Sequence, residues 1–385
     1  MRRLEHYVSA GSRRLRCGYT TGTCAAAATR AAAELLLAGE VVPNVVVGTP
    51  AGVDCVLDVE QAQHGDGWAS CAVRKDAGDD PDVTDGVLVC SRVSLSSTPG
   101  VAIDGGEGVG RVTSLGLDQP VGAAAINATP RAMIEREASL ACAQHGYAGG
   151  LAVIISIPGG RELASRTFNP RLGIEGGLSV LGTSGIVRPM SEEALVQTVR
   201  LELRVLRERG VRDVVVVPGN YGRDYALGTL GLDQRCMASC SNHLGVAIDE
   251  AGMLGFSSML VVGHAGKLVK VAAGILNTHS RVADGRMEVL AAHAAMAGAS
   301  VELVGRVLDA PTVDAALALL DEAGLRERAM LPLVARMERY LRVRATGGLA
   351  VEAVVFSHAW GELGRTSGAD ALLELHKAKR EDDDD

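Results

Sequence analysis

The chain has 385 residues, 47% of them hydrophobic and 22% charged, with aromatics scarce at 3% and glycine abundant at 47 residues. That length predicts roughly two domains, each with its own core, and the composition excludes an intrinsically disordered chain. A formal net charge of -8 argues against a nucleic-acid partner, the shortage of aromatics against a base-stacking platform, and the lack of a long apolar run or signal region against membrane insertion or export.

Residues 1–15 are rich in arginine and are expected to form a flexible basic arm. The stretch "RCGYTTGTCAAAATRAAAELLLAG" (16–39) follows. Its alanines and leucines predict a helix that begins near Gly22–Cys24 and is capped by Gly39. Thr20, Thr21 and Thr23 therefore cluster at a helix N-terminus. From about 41 to 120 the runs "NVVVGTP", "DCVLDV", "ASCAVRK" and "GVLVCSRVSL" predict a mixed sheet packed on that helix. After residue 148 four continuous apolar runs, "GLAVIISIPGG", "GGLSVLGTSG", "VRDVVVVPGN" and "SSMLVVGHAGK", each end in a glycine loop. Helical patterns at 191–209 and 243–254 lie among them, which predicts a parallel α/β sheet. Residues 283–343 read as mostly helical and "GLAVEAVVFS" as one more strand.

The expected fold class is thus α/β in two domains. Residues 1–147 form an α+β domain, with the boundary near Gly146–Gly150. Residues 148–370 form a three-layer α/β/α, Rossmann-like domain with a mostly parallel sheet, and residues 371–385 an acidic tail. The eight scattered cysteines read as reduced thiols of a cytoplasmic protein.

Ligands of an open parallel sheet bind at the carboxyl ends of its strands. There the sequence places "IPGGRE" (157–162), "LGTSGIVRPMSEEA" (181–194), "VPGNYGRDYA" (217–226) and "GHAGKLVKVAAGILNTHSRVADGRME" (263–288). Glycines permit close backbone approach, and Arg188, Asn220, Arg223, His264 and Lys267 supply polar groups. "GHAGKL" is not a phosphate-binding P-loop, and "GGEGVG" (105–110) lacks the dinucleotide-binding offsets. No nucleophile elbow is present. Cys236, Cys240 and His243 lack a fourth ligand in register, so no metal site is expected and they read as buried groups. In 263–288, Lys267 and Lys270 are spaced as neighbours on a helix face, and Asp284 and Glu288 share another. The set suits a ligand with several carboxylates.

"GYTTGTCAAAA", "KDAGDDPDVTDG", "GGEGVGRVT", "TFNPRLGIEGGLSVLGTSGIVRPMSEEAL", "VPGNYG" and "GHAGKLVKVAAGILNTHSRVADGRME" together resemble the CbiD family, the cobalt-precorrin-5B C-1 methyltransferases of corrin-ring biosynthesis. The resemblance covers about residues 15–300. It implies that S-adenosylmethionine methylates C-1 of a cobalt-carrying tetrapyrrole to give cobalt-precorrin-6A. The cobalt arrives in the substrate, so the protein needs no metal of its own. Transfer from a sulfonium to a ring carbon needs alignment rather than an acid–base triad. No catalytic residue is therefore assigned.

On this reading the cofactor is expected at Gly182, Thr183, Ser184, Gly185, Gly219, Asn220, Gly263 and His264. The polycarboxylate substrate is expected at Thr20, Thr21, Thr23, Arg188, Lys267, Lys270, Asn277, Thr278, His279, Asp284 and Arg286. The threonines form either an anion pocket or a multiply bonded helix cap. The segment "GDDPDVTDG" (78–86) is either a ligand loop or an Asp-rich turn. Two other function classes stay open, a phosphate-handling enzyme and a non-catalytic tetrapyrrole carrier. The oligomeric state is left undetermined, with a homodimer as one option.

Overall fold

A computed structural model of the chain describes residues 2–10 and 13–377. The chain divides into two compact units, Met1–Ser191 and Glu192–Asp385, built from strands in both parallel and antiparallel pairing.

In the first unit the arginine-rich start is ordered by pairing instead of forming a loose arm. Tyr7–Ala10 and Arg13–Arg16 run antiparallel with Tyr7 opposite Arg16, and the Arg14 guanidinium lies 4.3 Å from the Tyr7 ring centre. The helix Thr21–Ala38 forms where the alanines predict it. It stops at Gly39, whose φ of 76° is the left-handed conformation that lets its N–H close on the Leu35 carbonyl. Ala25–Ala28 and Ala31–Ala33 are fully buried. Methyl-sized side chains let this helix lie close on the strands Trp68–Arg74 and Leu88–Ser96 and against the helix Ala128–Gln144. The sheet beneath runs Glu60–Gly65, Trp68–Arg74, Leu88–Ser96, Gly150–Ser156, Val101–Gly105; only its last pair is parallel.

The break expected near Gly146–Gly150 falls inside this unit. The strand Gly150–Ser156 is hydrogen-bonded between Leu88–Ser96 and Val101–Gly105, so it cannot open a separate domain. The run "GGLSVLGTSG" makes only isolated bridges, Leu178 with Val109 and Val180 with Ile126. Two of the four apolar runs thus belong to the first unit, because an apolar run reports burial without reporting which sheet buries it. The glycines of "GGEGVG" and "IPGG" have a packing cause as well. A Cβ on Gly108, at φ 70°, would fall 1.8 Å from the Ile157 carbonyl oxygen, and one on Gly160 would fall 2.3 Å from the Gly108 oxygen. Backbone lies directly on backbone there, and no side chain fits.

The sheet of the second unit runs Met237–Ser239, Asp213–Val217, Ser258–His264, Ala350–Ser357, Gly361–Arg365; its first four strands are parallel and its last antiparallel. Alternate residues feed two cores. Val214, Val216 and Val261 point into one, Val215, Val217 and Val262 into the other, so both faces are covered and the strands read as unbroken valine runs. The helices Glu192–Glu208 and Leu244–Met253 match the expected positions. The helical region beyond comprises Arg286–Met296, Val301–Leu308, Val313–Glu322 and Arg326–Arg344. The tail expected from residue 371 is partly structured: Ala369–His376 is a helix that buries Leu373 and His376, while the acidic run "EDDDD" lies outside the described residues. Among the described residues no helix is long and apolar enough to cross a membrane, and all eight cysteines are free.

Candidate functional site

The four parallel strands of the second unit finish side by side, at Val217, Ser239, His264 and Ser357. Their exits bring together Gly219, Tyr221, Ser241, His264, Lys267 and His358. Gly219 has a φ of 111°, a backbone conformation that favours glycine, and it lies beside the Lys267 ammonium, which would be 3.5 Å from a Cβ there. The ammonium donates to the Ser241 carbonyl at 3.2 Å, and Ser241 itself sits at a φ of 51°, uncommon for a residue with a side chain. Burial lowers the Lys267 pKa from its ordinary range, opposed by the neighbouring Cys240 and assisted by Lys270.

Four rings gather at the exits of the strands Ser258–His264 and Ala350–Ser357 and the helix after Gly219. The His264 and His358 ring centres are 5.4 Å apart, and Tyr221 meets His358 edge-on at 4.7 Å. Phe356 backs both imidazoles at 5.6 and 5.8 Å, and is itself stacked on Tyr225 at 3.9 Å. Tyr221 and His358 are exposed, whereas His264 is half-buried. The Gly266 backbone N–H donates to His264 Nδ1 at 3.0 Å. A backbone N–H only donates, so the neutral ring carries its proton on Nε2. Burial pushes the His264 pKa down, with His358 adding to the effect and Asp314 opposing it. Asp314 accepts from the Ser357 hydroxyl at 2.6 Å, which in turn accepts from the Ala359 N–H at 3.1 Å and fixes the turn that carries His358. The edge thus offers a cation and an imidazole N–H for an anionic group, plus a ring wall for a flat ligand.

Other expected site residues are placed differently. Gly263 serves packing: a Cβ there would meet Leu268 at 2.8 Å and Pro218 at 2.9 Å. Lys270 is 2% exposed, and its ammonium donates to the Thr278 and Ala283 carbonyls at 3.0 Å each. It holds the 278–283 loop in place of facing a ligand beside Lys267. Asn277 and His279 are turned to their own loop, accepting from the His279 and Arg281 N–H groups at 3.1 and 3.0 Å, and the Thr278 N–H donates to the Asn242 carbonyl at 2.8 Å. Asp284 lies ahead of the helix that starts at Arg286, so it shares no helix face with Glu288. It pairs instead with Arg286 through two contacts of 2.7 Å.

Asn220 is the first residue of the helix Asn220–Gly228, directly after Gly219; the remaining candidates lie in the first unit. Gly182, Thr183, Ser184 and Gly185 form a loop against the start of the alanine helix, not an exit of the second sheet. Thr23 is fully buried and its hydroxyl donates to the Gly185 carbonyl at 2.6 Å. The Thr20 hydroxyl caps the Thr23 N–H at 3.2 Å, and the Thr21 hydroxyl accepts from the Leu181 N–H at 2.8 Å. The Gly22 N–H donates to the Leu181 carbonyl at 2.9 Å. The groups expected to receive a substrate carboxylate are thus turned to protein partners, because the loop that meets the helix N-terminus supplies its own carbonyls. Gly182 is required there: a Cβ would fall 2.3 Å from the Thr20 hydroxyl. Arg188 is exposed beside Cys17. The Asp-rich segment is a turn held by its own carboxylates. Burial opposes ionisation of Asp76, but a bidentate Arg16 contact at 2.5 and 2.8 Å and the Gly78 N–H hold its pKa below the usual range. Lys75 pairs with Asp82 at 2.7 Å.

Sequence reasoning missed Tyr221, Ser241, Phe356 and His358. The signal was available, since "FSHAW" ends the strand Ala350–Ser357 and so lies at the same edge as "GHAGK". Among the described residues no group of three or more His, Cys, Asp or Glu side chains is arranged to hold a metal ion.

Residues 8–189 match the family described as CbiD, and residues 277–367 match "CbiD, C-terminal domain". A protein of Ruminiclostridium cellulolyticum named cobalt-precorrin-5B C(1)-methyltransferase is 44% identical over 380 residues, covering 97% of this chain and 99% of its own. One of the same name from Thermoanaerobacter sp. is 48% identical over 322 residues, covering 84% and 87%. A crystal structure of a cobalamin biosynthesis protein from Archaeoglobus fulgidus is 30% identical, covers 72% of this chain and 86% of that one, and superposes with a TM-score of 0.39.

Proposed function

The chain belongs to the CbiD family, and from that premise we propose that it is a cytoplasmic methyltransferase acting on C-1 of cobalt-precorrin-5B to give cobalt-precorrin-6A, with S-adenosylmethionine as donor. The observation that carries the reaction is the 44% identity over nearly the whole length of a relative bearing that name. For the site, support comes from the carboxyl edge of the second unit, which we read as Rossmann-like.

The edge fits such a donor chemically. Lys267 and the His264 Nε2–H suit the carboxylate of an amino-acid moiety, and the loop at Gly219–Asn220 admits close backbone approach. The donor supplies an electrophilic methyl group on a sulfonium. The chain's own residues orient and desolvate. Lys267 holds a negative group at a fixed point, and the rings of Tyr221 and His358 give a flat surface for the macrocycle. A displacement governed by alignment asks these residues to orient and desolvate the reactants.

Calorimetric titration with S-adenosylmethionine tests this reading. The expected result is saturable heat that weakens in Lys267→Met. The absence of heat with folded protein would leave a tetrapyrrole carrier and remove the methyltransferase.

A further inference from the structure

The two imidazoles at the carboxyl edge are not equivalent. His264 has Nδ1 occupied by the Gly266 N–H at 3.0 Å, so its outward nitrogen carries the proton and has no lone pair to offer. His358 has no hydrogen-bond partner among the described residues. It is held by rings alone, with Tyr221 edge-on at 86°, Phe356 at 85° and His264 tilted at 34°, and it is exposed. The turn beneath it is pinned through Ser357 to Asp314. The edge thus presents one imidazole placed among rings, its nitrogens without a hydrogen bond among the described residues. Among the described residues no third ligand joins the pair to make a resident metal site. Such an imidazole is the commonest protein ligand for a late first-row metal that arrives with its remaining positions already filled.

We propose that His358 is an axial ligand to the cobalt of the substrate. This rests on the function proposed above. A ring nitrogen of His358 donates its lone pair to cobalt and displaces an axial water; no proton or electron changes hands. The bond fixes the height and tilt of the macrocycle over the edge, while Tyr221 restricts rotation of the imidazole. His264, whose outward nitrogen only donates, stays with the carboxylate of the methyl donor.

Electron paramagnetic resonance of the complex between the full chain and cobalt(II)-precorrin-5B, formed without methyl donor, tests the proposal. In low-spin five-coordinate cobalt(II) the unpaired electron lies along the axial direction, so one axial nitrogen splits each cobalt line into three. The expected spectrum shows that triplet. It becomes a doublet when the protein carries heavy-nitrogen histidine, disappears in His358→Ala, persists in His264→Ala, and returns when free imidazole is added to His358→Ala. Unsplit lines in the wild type, or a splitting that survives His358→Ala, overturn the proposal. Calorimetry with S-adenosylmethionine on the same variants separates the two claims. Donor binding intact with unsplit lines defeats the cobalt ligand alone, whereas absent donor binding defeats the function on which it rests. Wild-type protein that forms no complex with the substrate defeats both.

Discussion

The ring of Tyr221 stands edge-on to the imidazole of His358, with centres 4.7 Å apart and an interplanar angle of 86°. One residue is the second of the helix Asn220–Gly228, after the first parallel strand of the second unit, and the other follows that unit's longest strand. They meet because both strands end at the same edge. An edge-to-face contact of this kind contributes about 0.5–1.5 kcal/mol. Tyr221 is 63% exposed, so Tyr221→Ala should lower folding stability by no more than that contact. Loss of the ring wall should weaken tetrapyrrole binding about threefold to tenfold, as read by fluorescence or absorbance titration.

Lys267 gives a second prediction, with a defined sign. Its folded pKa is lowered from 10.5, so in the window between the folded value and 10.5 the unfolded chain binds more protons than the folded one. Stability from this group therefore rises with pH through that window and is lowest below it. Denaturant unfolding of Lys267→Met should lack this alkaline gain. The variant should be no less stable than the wild type at neutral pH, while loss of a charge-assisted contact weakens binding of the anionic ligand by about 1.5–3 kcal/mol.

At the alanine helix the outcome should be structural. Thr23→Val removes a fully buried hydroxyl that satisfies the Gly185 carbonyl, and Thr20→Val removes the cap on the Thr23 N–H. Each change should cost about 0.5–2 kcal/mol in chemical denaturation, with ligand affinity of the folded fraction unchanged. Affinity falling without loss of stability would restore a binding role to these hydroxyls.

His376 predicts an acid limb. It is 3% exposed, its Nε2 has no partner among the described residues, and burial lowers its pKa from 6.5 despite the opposing charges of Asp213 and Asp233. The unfolded chain takes up this proton first as pH falls through 6.5, so stability declines from there towards the folded pKa. His376→Gln should flatten that part of the curve in a melting series across mildly acidic pH.

The sequence reveals elements better than their assembly. The alanine helix, the valine strands and the helices after Ser191 follow from periodicity and composition, which are local. The division into units was not legible, because Gly150–Ser156 reads the same whether its neighbours are parallel or antiparallel. The Gly182–Gly185 loop was assigned to the wrong sheet for the same reason. Glycine has two causes, close ligand approach and close backbone packing, and sequence cannot separate them; Gly108 and Gly160 belong to the second. Lys267 and Lys270 look alike in spacing, yet one stands at the strand exits and the other is closed over by carbonyls. His358 lies far along the chain from Tyr221, and only the strand order joins them.

The central claim is tested most directly by incubating the chain with cobalt-precorrin-5B and S-adenosylmethionine carrying an isotopically labelled methyl group, then locating the label in the product by nuclear magnetic resonance. The account predicts one labelled methyl group, bonded to C-1 of the macrocycle. Recovery of unmethylated tetrapyrrole from protein that binds both molecules, or a label at any other position, would contradict it.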